Sequence, residues 1–418
     1  MSWPHLIGLG VGAIVGTGIY TLTGVGAGLA GPAVILSFVV AGIVCVCAAL
    51  AYTEMATMMP VAGSAYTYTY VVLGELAAWF VGWTLILEYT VVCAAVAVGW
   101  AGYATPFLLD FGIPSALLAG PFAGGVINLP AAVISVAVAG LLAVGSREST
   151  TVNLILVAFK LVALGVFIAL ALPSFDANNF EPFMPFGFAA QEVDGVKHGV
   201  MAAAAIIFFA FYGFDAVSTA AEETKNPSRD LKIGIVGSMI LCTALYMAVA
   251  AAALGGASYQ ALADSGEPLA MVLRTLQHPT AAKFIALVAV LALPTVIMAF
   301  MYGQSRIFFV MARDGLLPRR LGTVSAKTGT PVSMTLVTGV IVAIISGLLP
   351  LKQIAELANA GTLCAFVAVA ICMMVMRKRA PNAKRVFSTP LPWVLGPLAI
   401  VGCVYLFASL HKPRCFDS

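Results

Sequence analysis

The sequence predicts an all-α polytopic membrane protein of eleven spans, with the first and sixth broken partway across. Three observations lead there. The 418-residue chain is 61% hydrophobic and 9% charged, whereas a soluble domain carries roughly a quarter charged residues. Apolar runs of about twenty residues, each long enough to cross a bilayer core, recur from one end to the other. Two of them are interrupted by glycines or a carboxylate that a plain apolar helix does not need.

In order, the spans fall at about 6–30, 33–58, 71–108, 131–147, 151–173, 199–222, 233–255, 282–311, 332–349, 354–376 and 391–410, with ends uncertain by a few residues. The first begins near Met1, and no cleavable signal is expected before it. The third and eighth exceed the bilayer thickness and must tilt or project. With the N-terminus in the cytoplasm, thirteen of the 21 Lys and Arg fall in or beside inner connections and six in outer connections and the tail. That bias is the positive-inside pattern. Of the outer connections, 174–199 is the longest. The uncharged stretch 60–70, "PVAGSAYTYTY", reads as an interfacial or re-entrant segment with tyrosines at the headgroup level. Seven of the eight cysteines sit inside apolar runs without metal-ligand spacing, so they read as inert buried thiols.

The first interruption is "GVGAIVGTGIY", residues 10–20. It is not a dinucleotide fingerprint, because Val15 stands where the third glycine belongs and no strand–helix alternation surrounds it. Gly12 and Gly16 form a GxxxG pair suited to close helix packing. The alternative is that Gly16-Thr17-Gly18 unwinds, which membrane depth tolerates only where backbone lines a cavity or is buried in protein. Two half-helices would then offer carbonyls to a cation and N–H groups to an anion, and one zwitterion satisfies both. The second interruption, "FFAFYGFDAVSTAAEETKNPSRD" (208–230), puts Gly213 and Asp215 in the sixth span. Paired interruptions in corresponding spans of two five-helix halves point to an inverted repeat with its site at the midplane.

Those two stretches, with "LIGLGVGAIVGTGIYTLTG" (6–24), "MMPVAGSAYTY" (58–68), "EYT" (88–90) and "GQSRIFFVMARDGLLP" (303–318), resemble the cationic amino acid transporter family of the amino acid–polyamine–organocation (APC) superfamily. The resemblance implies a LeuT-like fold, that of the bacterial leucine transporter, with two inverted five-helix repeats and alternating access. A ten-helix core is then expected over 1–377, its repeats at about 6–173 and 199–376. Residues 378–418 supply a cytoplasmic connection, the eleventh span and a short tail.

Carried over residue by residue, the resemblance makes Ile14, Gly16, Thr17 and Gly18 the backbone that holds a substrate's amino and carboxylate groups. Phe209 becomes the aromatic lid, and Phe211, Tyr212 and Gly213 the unwound turn of the sixth span. The family more often has tyrosine and then a small β-branched residue before that glycine, so a bulkier or more polar pocket wall is expected here. Met298 and Met301 would reach the side-chain end of the pocket or simply pack. Pro294 and Gly303 are candidates for a bend in the eighth span.

Charges at membrane depth are costly and usually functional. Glu88 reads as a proton carrier or part of the substrate path, or as an acid facing a wet vestibule. Asp215 has the same standing, or else caps the second half of its span. Glu54 and the Glu222/Glu223 pair, with Arg229 and Arg306 near them in topology, suit an inner gate or capping contacts. His198 and His278 read as solvated loop residues. Lys160 lies in the middle of the apolar fifth span. In the related fold, helices one, five and eight often enclose a sodium ion, and the resemblance puts the Lys160 ammonium there, against first-helix carbonyls. Lysine, unlike arginine, releases its proton readily when desolvated.

The expected function is proton-coupled import of an L-amino acid, cationic or small and neutral, across the cell membrane. The expected partners are the substrate, protons and lipid, with no nucleic acid, metal or cofactor. The alternative is a non-transporting amino acid sensor or a truncated, inactive transporter, because relatives continue into a twelfth span. No Ser/His/Asp, metal or phosphate-binding constellation suggests an enzyme.

Overall fold

A computed structural model describes the chain apart from residues 1, 60–62, 146–149, 194, 215–216, 218–223, 319–322, 324, 326–330 and 411–418. Its regular structure is almost wholly helical. In chain order the helices are α1 (Trp3–Ile14), α2 (Thr23–Ala30), α3 (Val34–Met58), α4 (Ser64–Leu73), α5 (Glu75–Asp110), α6 (Leu129–Ala143), α7 (Thr150–Ala171) and α8 (Val200–Ile207). They continue as α9 (Pro227–Gly256), α10 (Tyr259–Ala263), α11 (Pro268–Thr275), α12 (Pro279–Arg313), α13 (Val332–Leu348), α14 (Leu351–Arg379) and α15 (Pro392–Ser409). One small departure from all-α is an antiparallel hairpin, β1 (Gln191–Val193) with β2 (Val196–His198), in the long connection between α7 and α8.

Among the described residues, seven helical stretches are long and apolar enough to cross a membrane. Shorter apolar helices at Trp3–Ile14, Leu129–Ala143, Val200–Phe211 and Val332–Leu348 accompany them. Large apolar side chains such as Phe80, Leu141, Ile344 and Val401 stand exposed on the outside, as they do where lipid is the solvent. Lipid supplies little drive for helices to associate, so small residues at the contacts do that work by admitting close approach. A Cβ on Gly12 would lie 2.5 Å from Val157 Cγ2, where α1 meets α7. Gly339 of α13 likewise leaves no room for a side chain against Ala139 of α6.

The packing has an exchange symmetry between the two halves. Three helices of the first half pack on their counterparts in the second: α3 on α9, α5 on α12, α6 on α13. Other contacts swap in pairs. The α1–α9 contact is matched by α8–α3, α5–α14 by α12–α7, and α1–α7 by α8–α14. Such cross-packing is characteristic of inverted repeats.

Several expectations shift. The 60–70 stretch contributes α4, a short helix packed on α5 and α14, and Gly74 (φ 95°) turns the chain into α5. Pro294 lies inside one helix, Pro279–Arg313. At one end of the bundle, Leu262 and Gly266 press their carbonyls onto Gly24 and Gly102, where any Cβ would clash. Glu267 in this cap pairs with Arg274. Burial pushes its carboxyl up, and Arg274 pulls it back down.

At the opposite end Glu54 is 1% exposed, and its partners are not those expected. Its carboxylate accepts from Arg377 Nε (2.7 Å) and Nη2 (2.6 Å), Arg385 Nε (3.1 Å) and the Thr389 backbone N–H (2.8 Å). Arg306 instead donates to Tyr302 Oη and lies over that ring. Glu222 and Glu223 lie outside the described residues. Proximity in topology pointed to the wrong arginines because the α14–α15 connection folds back beneath α3. Hydrogen bonds to charged groups contribute roughly 1.5–3 kcal/mol each, and a buried partner left behind costs more. Glu54→Ala is therefore expected to loosen the connection by about 2 kcal/mol, read as a roughly thirtyfold faster amide exchange at Thr389. Unchanged exchange there would show that the clasp is not what holds it.

A candidate substrate site at two helix breaks

The first break is narrower than Gly16-Thr17-Gly18. Val15 leaves helical geometry (ψ 92°), and the chain is helical again by Thr17 (φ −52°, ψ −29°). A π-helical turn over Gly18–Leu22 then leads into α2. Ending α1 this way frees its last carbonyls, which a membrane interior does not hydrate. Side chains from other helices take them. Tyr246 Oη of α9 donates to Ile14 O at 2.7 Å, and Lys160 Nζ of α7 donates to Gly12 O at 3.3 Å.

The second break follows α8. The helix tightens to a 3-10 turn over Phe208–Phe211, Tyr212 turns extended (ψ 148°), and Gly213 takes φ 108°. Only glycine adopts that conformation without strain. Asn359 of α14, which sequence reasoning missed, stitches this break. Its Nδ2 donates to Ala205 O (2.7 Å) and Ile206 O (3.1 Å), while its Oδ1 accepts from Tyr212 Oη at 2.5 Å. A lone asparagine inside a long apolar helix was the available signal.

The two breaks face each other. A Cβ on Gly213 would lie 2.7 Å from the Ala13 carbonyl carbon, and one on Gly18 would overlap Ala210 Cα. Phe209 and Tyr212 pack with ring centroids 5.0 Å apart, and Phe211 lies against Tyr246 at 5.6 Å. At Gly16 there is room: a Cβ would meet only Val296 of α12, at 3.7 Å. Thr17 presents its methyl and Thr21 its hydroxyl to Gly99 of α5, and both hydroxyl oxygens are buried without a hydrogen-bond partner. Ile14, Thr17, Phe209 and Tyr212 are buried, so both breaks are shut off from bulk solvent.

The structure thus brings together Ile14, Gly16, Thr17, Gly18, Phe209, Phe211, Tyr212, Gly213 and Lys160. Lys160 is 1% exposed and straddles the first break. Its ammonium holds Gly12 before it, and its backbone carbonyl accepts from Tyr20 Oη beyond it at 3.3 Å. Tyr103 of α5 in turn donates to Tyr20 O at 2.6 Å. Glu88 is buried beside Gly361 of α14. It sits roughly 16 Å along α5 from Gly99, at 1.5 Å per residue. Met298 is half-buried on α12, and Val296 is the residue of that helix that stands over Gly16. Asp215 lies outside the described residues. Among the described residues, no group of three His, Cys, Asp or Glu could hold a metal ion.

Two helices broken where they cross, with backbone polar groups gathered inside an apolar bundle, define a transporter of amino acid permease type rather than an enzyme. The chain belongs to that family: the amino acid permease model matches residues 1–413, within the APC superfamily. The branched-chain amino acid permease BcaP of Bacillus subtilis is 45% identical over 96% of this chain and 86% of its own length. The methylthioribose transporter of the same organism is 40% identical over 96% and 86%. The vacuolar cationic amino acid transporter 2 of Arabidopsis thaliana is 38% identical over 99% of this chain and 66% of its own. The relatives are named for branched-chain amino acids, methylthioribose and cationic amino acids, so the similarity does not single out the cationic group.

If these backbones hold the part common to all substrates, bulk there should block every substrate alike. Gly213→Ala and Gly18→Val are each expected to reduce equilibrium binding of a whole amino acid panel by more than a hundredfold. Val296→Ala should instead reorder preferences within the panel. Normal affinity in both glycine variants would make the breaks packing features only.

Proposed function

We propose that this chain imports L-amino acids with protons by alternating access. On this reading, eleven spans form two inverted five-helix repeats, at about 6–173 and 199–376, plus one peripheral span. The N-terminus faces the cytoplasm of a cell membrane. The observation that carries the coupling is the Lys160 Nζ bond to Gly12 O, two residues before the freed carbonyl of Ile14. Protonated Lys160 ties α7 to the half-helix that bears substrate. Proton release removes a donor from that tie, and the half-helix loosens. A sodium ion has no part in this scheme, because the ammonium takes up the first-helix carbonyl.

An aliphatic side chain suits the site best. Val296 and Phe209 supply apolar walls, and the 45%-identical relative is named for branched-chain amino acids. Cationic substrates are the second reading, favoured by the plant relative's name and by the buried Glu88 carboxylate beyond Tyr212.

Uptake of labelled amino acids into proteoliposomes tests both coupling and substrate. An inward proton gradient should drive accumulation in the wild type, and a sodium gradient should not. Lys160→Ala should lose accumulation while still exchanging substrate across the membrane. Sodium-driven uptake, or normal proton-driven accumulation by Lys160→Ala, would overturn the mechanism. Orientation is tested separately: cysteines introduced at Lys225 and Lys384 should resist impermeant thiol reagents in sealed cells.

A further inference from the structure

A groove of about 360 Å³ opens sideways between α4, α5, α14 and α15, away from the helix breaks. Its walls are almost entirely apolar, with Leu73, Phe80, Leu363, Ile371, Val404 and Phe407 among them. Leu73, Phe80, Val404 and Phe407 are exposed, so the groove faces lipid. Along α14 it runs from Leu363 to Ile371, roughly 12 Å at the helical rise. Charge gathers at one end. Arg379 Nη1 donates to Val72 O at 2.7 Å, immediately beside Leu73 in the wall. Lys378 Nζ lies 5.6 Å over the Trp393 ring at the start of α15. Both cationic residues are exposed. Trp79, Trp83 and Trp393 are exposed too, and tryptophan gathers at the headgroup level of a bilayer. Glu75 is the acid close by, and it accepts from Tyr70 Oη at 3.2 Å.

We propose that this groove is a binding site for an anionic phospholipid of the bilayer, its phosphate on Lys378 and Arg379 and one acyl chain lying along α14. Basic residues at the mouth of an interhelical pocket recognise anionic headgroups in this way. Apolar walls open to lipid accept a chain without leaving a polar group unpaired. A second copy of this chain fits less well, because a two-fold contact over this face would bring its own Lys378 and Arg379 toward the same cations. The site is separate from the helix breaks, so it does not depend on the transport reading.

The test uses full-length protein in nanodiscs of mixed phosphatidylglycerol and phosphatidylcholine, followed by native mass spectrometry of retained lipid. Wild type should retain one phosphatidylglycerol in preference to phosphatidylcholine. Lys378→Gln and Arg379→Gln should each reduce that preference roughly fivefold, and together roughly twenty-five-fold, at the usual strength of one charge near a membrane surface. Val404→Trp keeps both charges and fills the groove from its exposed side, so it should reduce retention of both lipids. An unchanged preference in the double variant would overturn the site. So would undiminished retention in Val404→Trp, or a lipid-free dimer in the wild type.

Discussion

The whole structure turns on one constraint: a peptide group inside a bilayer must find a hydrogen-bond partner within the protein. Unwinding a helix at that depth releases carbonyls that lipid cannot satisfy. Here side chains from distant parts of the chain take several of the released carbonyls. Tyr246 serves Ile14, Lys160 serves Gly12, and Tyr103 serves Tyr20. Asn359 serves the end of α8 twice over. These partners come from α5, α7, α9 and α14, so the breaks fix where four other helices must stand. The exchange symmetry of the packing is the large-scale counterpart of that local need.

Glycine does two different jobs at the centre. Gly213 supplies a backbone angle, and Gly18 supplies absence of bulk against Ala210. The two breaks can therefore press backbone against backbone, which concentrates peptide dipoles in a small volume shielded from water. In such surroundings a dipole acts on a bound charge with little screening. A substrate's ammonium and carboxylate are the charges best suited to that arrangement. The walls around the breaks are ordinary apolar side chains such as Val296 and Phe209, and the family's relatives are named for different cargo.

Much of this was legible in the sequence, for identifiable reasons. Apolar run length marks helices in lipid, so all eleven expected spans correspond to helical segments, whatever number of them cross. Glycine density marked the first break, Gly213 with Asp215 marked the second, and a lysine amid apolar residues marked the contact with α1. Sequence could not place the break to the residue, because Thr17 and Gly18 tolerate helix and coil alike. Asn359 was passed over because a single amide changes hydropathy very little. Glu54 was noticed as a charge, but its partners lie more than 320 positions away, and only the folded connection brings them near.

The clasp on Glu54 has a mechanical meaning beyond holding a loop. One carboxylate on α3 gathers Arg377 at the end of α14, then Arg385 and Thr389 from the chain leading into α15. The chain leading into α15 is thereby fastened to α3 by several hydrogen bonds to one carboxylate. Any displacement of α3 would therefore be passed to α15, which forms one wall of the lipid-facing groove.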